Sequence, residues 1–196
     1  MGHKKKETVK MLPVGQLMIE HRLIERLIKV WEDEALRIKG CAGIDQDLFG
    51  KAIDFMIHYA DRCHHGKEED ILFKALNSKP LSAELRNILD ELIREHEIAR
   101  KALRDLAAAK ERCASGSGDA ALNDFIRSLK VITGLYPRHI EKEDKRFFLP
   151  CMEYFSAEEK DRMLEEFREF DRNLIHERYK SLVAGIESEA HRPGEA

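Results

Sequence analysis

Four histidines and two glutamates of this 196-residue chain recur with a single spacing that suits metal chemistry. Displacing the sequence by 75 residues sets Leu17-x2-Glu20-His21 on Leu92-x2-Glu95-His96. The same displacement sets Ile57 on Ile132, His64 on His139, Lys67 on Lys142, Glu68 on Glu143 and Phe73 on Phe148, with Glu69 on Asp144 and Leu72 on Phe147 as conservative pairs. His64 and Glu68 are four apart, one helical turn or about 5.4 Å along the axis, so both project from one face. His139 and Glu143 repeat that pair, and His21 and His96 add one imidazole each. Apolar residues flank each histidine at helical spacing: Leu17 and Ile28, Ile57 and Ala60, Leu92 and Leu103, Ile132 and Leu135. Four imidazoles and two carboxylates are therefore expected to meet in a helical interior.

The spacing alone is weak, since H-x-x-x-E occurs at six of the nine histidines. The shared offset and the apolar flanks discriminate. The rival pair His65 and Glu69 shares its α-helical face with His58 and Arg62, a set suited to a solvated surface, so His64 and Glu68 are preferred.

Burying two carboxylates without partners costs several kcal/mol each. A multivalent cation offsets that cost, and a metal-free polar core is the competing reading. Imidazole and carboxylate without thiolate suit iron or manganese better than zinc. Six side chains on one metal leave no open position. Spread over two, they give each metal two histidines, with both glutamates bridging. A bridging oxygen then brings each metal to about five ligands, one short of octahedral. The expectation is a dinuclear site with room for a small exogenous ligand.

Helices must carry these groups. Apolar residues recur at helical spacing from Leu12 to about Lys39, and Gly40 and Gly43 end that run. Asp45 or Asp47 can cap a second helix reaching about Asn77, and Ser82 a third. Ser115-Gly116-Ser117-Gly118 is a connection, after which Asp119 opens a fourth helix ending around Pro150. Pro137 should kink it and free the carbonyl near Thr133. Ser156 with Glu159 forms a capping box for a fifth helix running to about Glu187. The expected fold is all-α: an antiparallel up-down-up-down four-helix bundle over residues 12–152, with a fifth C-terminal helix over 153–188 packed on its outside or end. Flexible tails are expected at 1–11 and 189–196.

Composition narrows the rest. Charged residues reach 36%, above the roughly 25% of an average soluble protein, yet 43% hydrophobic residues still supply a core. Two threonines and five valines leave little for strands. The net charge of -3 speaks against nucleic acid as a partner. No apolar run suits a membrane span and no leader-like segment precedes Met11, so the cytoplasm is the expected compartment. Cys41, Cys63, Cys113 and Cys151 lack C-x-x-C spacing and read as reduced thiols. Gly116-x-Gly118-x-x-Ala121 has no strand before it and reads as a loop. No histidine follows a glutamate by three residues, which excludes the E-x-x-H pattern of ferritin-like di-iron bundles.

The run Cys63-His64-His65-Gly66-Lys67-Glu68-Glu69-Asp70-Ile71-Leu72-Phe73, with His139-Ile140-Glu141-Lys142-Glu143-Asp144, resembles the hemerythrin-like HHE cation-binding domains over roughly residues 12 to 150. The resemblance implies a four-helix bundle holding two irons, oxo- or hydroxo-bridged, that meet dioxygen, nitric oxide or peroxide. It implies His21, His64, Glu68, His96, His139 and Glu143 as ligands. Oxygen-carrying members have a second histidine four residues after the first on helix three, where this chain has Arg100. They also place an aspartate five after the helix-four histidine; Asp144 stands there beside Glu143, which the repeat favours as the bridge. With one histidine fewer, both metals are expected to be more open. That pattern is closer to members linked to iron sensing, nitric-oxide response or repair of iron centres. The function so implied is binding a small ligand for sensing, storage or stress protection. A di-iron redox enzyme and a metal-free helical interaction module are the alternatives.

Four residues stand at the margin. Glu25, four after His21, suits a supporting acid or a salt bridge better than a seventh ligand. Tyr136 is either a hydrogen-bond donor to a bound oxygen species or ordinary core. His176 reads as surface, and Cys63 as an inert thiol off the site face.

Overall fold

The computed structural model describes residues 11–39, 43–116, 118–172 and 175–190, and the side chains of all of these except 39 and 175–178. The two tails with His3 and His191, Cys41, and the side chain of His176 lie outside the described residues.

All described secondary structure is helical, in six helices. Helix α1 spans Pro13–Lys39. Helix α2 begins as Gln46–Phe55, widens into π-helical Met56–His65 and Glu68–Phe73, and closes as Lys74–Leu76. Helix α3 spans Ala83–Ala114. Helix α4 runs over Gly118–Lys142, turns π-helical at Glu143–Phe147 and finishes at Phe148–Met152. Helices α5 and α6 span Ala157–Phe170 and Ile175–Ala190.

Local chemistry sets the ends. The Asp45 carboxylate accepts from the amides of Asp47 and Leu48, so Asp45 is the cap of α2. Ser82 Oγ accepts from the Leu85 amide, and Ser156 and Glu159 exchange both bonds of a capping box. Gly116 and Gly118 hold φ of 78° and 71°, a left-handed conformation that glycine adopts without steric cost and that lets α3 turn into α4. Helical structure continues through Pro137.

The fifth helix expected over 153–188 is instead two helices. Helix α5 stops at Asp171, which has left helical geometry with ψ near 1°. Its carboxylate turns inward and accepts from Lys67 Nζ, Gln16 Nε2 and Cys63 Sγ. A short acid recruited by a buried cation breaks the helix here, which helical periodicity does not register.

Two hydrophobic clusters fill the bundle. One joins Leu23–Ile38 of α1, Leu48–Ala60 of α2, Ala99–Ala109 of α3 and Phe125–Ile140 of α4. The other joins Val14 and Leu17 of α1, Leu72–Leu76 of α2, Leu85–Leu92 of α3 and Phe147–Phe155 at the end of α4 and beyond. Helix α6 buries Tyr179, Val183 and Ile186 in the first cluster, and α5 buries Met163 and Phe167 in the second. Each large apolar side chain so buried contributes about 1.5–3 kcal/mol. The polar layer between the clusters carries the chemistry.

Candidate metal centre

His21 follows Leu17 by four residues, His96 follows Leu92 by four, His64 follows Ala60 by four, and His139 follows Tyr136 by three. Each histidine is thus set on the inward stripe of its helix. His21, His64, Glu68, His96, His139 and Glu143 are at most 3% exposed. The rings fall into two pairs: His21 with His64, centroids 4.6 Å apart, and His96 with His139, 4.9 Å apart. Each glutamate faces one ring of each pair. Glu143 Oε2 lies 3.2 Å from His21 Nε2 and 3.3 Å from His139 Nε2. Glu68 Oε1 lies 3.4 Å from His64 Nε2, and its Oε2 lies 3.4 Å from His96 Nε2. The pseudo-twofold relation implied by the 75-residue offset is therefore present in space.

The outward nitrogens follow the same symmetry. His64 Nδ1 lies 2.9 Å from Glu20 and His139 Nδ1 lies 2.8 Å from Glu95. His21 Nδ1 lies 2.8 Å from Asp144 and His96 Nδ1 lies 2.6 Å from Glu69. An Nδ1–H donated to a carboxylate leaves the Nε2 lone pair pointing inward, the tautomer a cation requires. Asp144 thus sits on the outer nitrogen of His21, while Glu143 faces inward. Lys67 and Lys142 repeat as well, donating to Glu20 and Glu95 respectively.

Electrostatics make this arrangement costly without a cation. Burial holds the Glu68 and Glu143 carboxyls well above the usual range; Glu20 and Glu69 push Glu68 further up against the opposing contact with Glu143, and Glu68 pushes Glu143 up. Burial holds the His64 and His96 imidazoles well below theirs, and that of His21 below. Nε2 of His21 and His64 and all four carboxylate oxygens of Glu68 and Glu143 are buried without a hydrogen-bond partner. Buried polar atoms are rarely left so. The donor set fits divalent or trivalent metal ions that take nitrogen and oxygen ligands.

Other predicted residues fall elsewhere or nearer. Glu25 pairs with Arg22 at 3.0 Å on the surface and stays off the site. Tyr136 is buried with its ring 6.4 Å from that of His139, in a small recess with Leu135 and Ala99. The Cys63 thiol donates to Asp171, and burial pushes its pKa up, which keeps it protonated.

One residue corrects the sequence reading. His65, expected on a solvated face with His58 and Arg62, is 1% exposed. Its ring lies flat on His96, with centroids 3.8 Å apart and planes at 15°. The physical reason is the π-helix over Met56–His65. Seven residues make about two turns of α-helix, so His58 and His65 would share a face. With i→i+5 bonding, seven residues fall well short of two turns. His58 stays 40% exposed beside Asp54, and His65 turns inward. The four carboxylates on the Nδ1 atoms had a signal in the sequence, since all of them belong to the repeat.

An all-helical bundle with clustered buried histidines and glutamates defines a metal-binding protein. The family model of the hemerythrin HHE cation-binding domain matches residues 12–151, and the chain belongs to that family. No curated protein and no solved structure matches it.

Proposed function

We propose that the chain is a non-haem di-iron protein that binds dioxygen, nitric oxide or peroxide for sensing, storage or stress protection. His21, His64, Glu68, His96, His139 and Glu143 would hold the two irons. The carrying observation is that Nε2 of His21 and His64 and all four oxygens of Glu68 and Glu143 are buried without a hydrogen-bond partner, and one ligand atom from each of these four residues lies within 4.8 Å of the others. A metal-free interaction module would leave two carboxylates buried against one another with no counter-charge. Iron here supplies redox chemistry and an open position for a small ligand.

The protein's own groups do the rest. Glu20, Glu69, Glu95 and Asp144 hold the imidazoles in one tautomer. Phe148 stacks on His21 at 5.5 Å and Phe73 on His96 at 5.9 Å, and these walls exclude water. The four long helices run up-down-up-down over residues 12–152. Support comes from the clusters, which join the starts of α1 and α3 to the ends of α2 and α4, and the reverse. Helices α5 and α6, in place of the single helix expected over 153–188, cap the two apolar ends. The free thiols of Cys63, Cys113 and Cys151 suit a cytoplasmic setting.

Iron analysis of the protein as purified tests the reading. Two irons per chain and reversible absorption changes with dioxygen or nitric oxide are expected. A chain without metal whose melting is indifferent to added iron would sink it.

A further inference from the structure

Lys67 and Lys142 occupy equivalent places in the repeat, yet their surroundings differ. Lys142 is 17% exposed on the side chain and donates to Glu91 and Glu95, both on α3. Lys67 is fully buried and donates to Glu20 and to both carboxylate oxygens of Asp171, at 2.9 and 3.0 Å. Glu20 and Glu95 in turn face the outer nitrogens of His64 and His139. On the His139 side the bundle thus supplies both acids. On the His64 side the second acid comes from the end of α5, beyond the residues 12–151 that define the family domain.

Asp171 is firmly seated. Its carboxylate also accepts from Gln16 Nε2 and Cys63 Sγ, and 10% of its side chain is exposed. Gly66 makes the approach possible, because a Cβ there would come within 3.0 Å of Phe170 Cζ, on the residue before Asp171. An ammonium has three protons to give. Asp171 takes two and Glu20 one, which leaves the other oxygen of Glu20 to His64. Without Asp171 the whole charge of Lys67 falls on Glu20, which then holds the His64 Nδ1–H less firmly.

We propose that Asp171 is a positioning residue of the metal centre, acting through Lys67 and Glu20 on His64. The inference rests on the di-iron reading and extends the site to a helix outside the four-helix bundle. Coupling of this kind is reciprocal, so metal at His64 also fixes the end of α5.

Iron(II) affinities of the full chain, Asp171→Asn and Met163→Ala test the proposal. Met163 is buried from the same helix, so its truncation loosens α5 without removing a charge. Asp171→Asn should weaken one of the two irons about 10-fold and leave the other unchanged, whereas Met163→Ala should keep both at wild-type affinity. At saturating iron-57, Asp171→Asn should shift the Mössbauer signal of one iron, which a loss of stability alone does not move. Iron loading of the wild type should slow hydrogen exchange at the amides of residues 167–171. A folded Asp171→Asn with wild-type affinity and signal overturns the proposal, and so does equal weakening in the two variants. Should Asp171→Asn fail to fold, exchange at the end of α5 that ignores iron in the wild type overturns it. A wild type that holds no iron overturns the di-iron reading itself, and this inference with it.

Discussion

Lys67 Nζ donates to both carboxylate oxygens of Asp171, at 2.9 and 3.0 Å, across 104 positions of sequence. It also donates to Glu20, whose other oxygen lies 2.9 Å from His64 Nδ1. The end of α5 is thus tied through a fully buried lysine to a candidate ligand. Burial alone would push the Lys67 pKa down, but Glu20 and Asp171 outweigh it and keep the ammonium charged.

Lys67→Met should therefore destabilise the protein by about 3–5 kcal/mol, because Glu20 and Asp171 lose their buried counter-charge. Its repeat partner Lys142 is 17% exposed on the side chain, so Lys142→Met should cost only about 1 kcal/mol. Urea denaturation of both variants compares them. Equal losses would show that the appended helices lean on something other than Lys67.

Glu68→Gln should act with opposite sign on the empty and the loaded protein. Burial holds the Glu68 carboxyl well above its usual range, and each pKa unit is worth about 1.4 kcal/mol. Near neutral pH the metal-free variant should then be more stable than metal-free wild type. The metal-loaded variant should be less stable than loaded wild type. Thermal melts with and without chelator give both signs, and a variant that destabilises the empty protein contradicts the prediction.

The carboxylates on the Nδ1 atoms predict a graded effect. Glu95→Gln removes the acceptor of His139 at 2.8 Å without touching a candidate ligand. Metal affinity should fall about 10–100-fold while saturating stoichiometry stays the same. Glu20→Gln should do likewise through His64. Competition against a chromophoric chelator measures it, and wild-type affinity in both would remove the tautomer argument.

Stability of the metal-free protein should peak near pH 6.5. Burial depresses the imidazoles of His21, His64, His65 and His96, so the unfolded chain binds protons first as pH falls. That stability, full above about 6.5, is lost progressively below it. Glu68 and Glu143 have raised values, so their contribution is full below about 4.3 and is lost as pH rises toward the folded values. Four imidazoles outweigh two carboxyls on the acid side, and the carboxyls set the slope from neutrality upward until the buried Cys63 and Cys151 thiols, whose values burial raises, add to it. Metal should abolish the carboxyl part of that slope by taking the place of those protons. Melting temperatures from about pH 5 to about pH 9 check this. A metal-free protein that gains stability steadily above neutrality contradicts it.

Much of this was open to a reader of the chain. Caps at Asp45, Ser82 and Ser156, the glycines before α4 and the helical stripes are local chemistry, and local chemistry is written in adjacent residues. The offset between His21 and His96, and between His64–Glu68 and His139–Glu143, needs only counting, and its members do converge. Two features escaped. The stripe of residues after Ser156 gave no sign of the break at Asp171, because the cation that draws Asp171 inward belongs to α2. His65 faces inward where α-helical spacing predicts a solvated face, because Met56–His65 winds as a π-helix.

Helix type is where sequence stops being sufficient. Whether Met56–His65 winds with i→i+4 or i→i+5 bonds depends on what the neighbouring helices offer its side chains, not on its own propensity. In this bundle His96 offers a ring to stack on, and Arg100 with Asp61 holds the outer nitrogen, so His65 joins the interior. Counting along the chain finds the groups that repeat. Only packing finds the imidazole that breaks the repeat, because its position is set by contacts with residues far away in sequence.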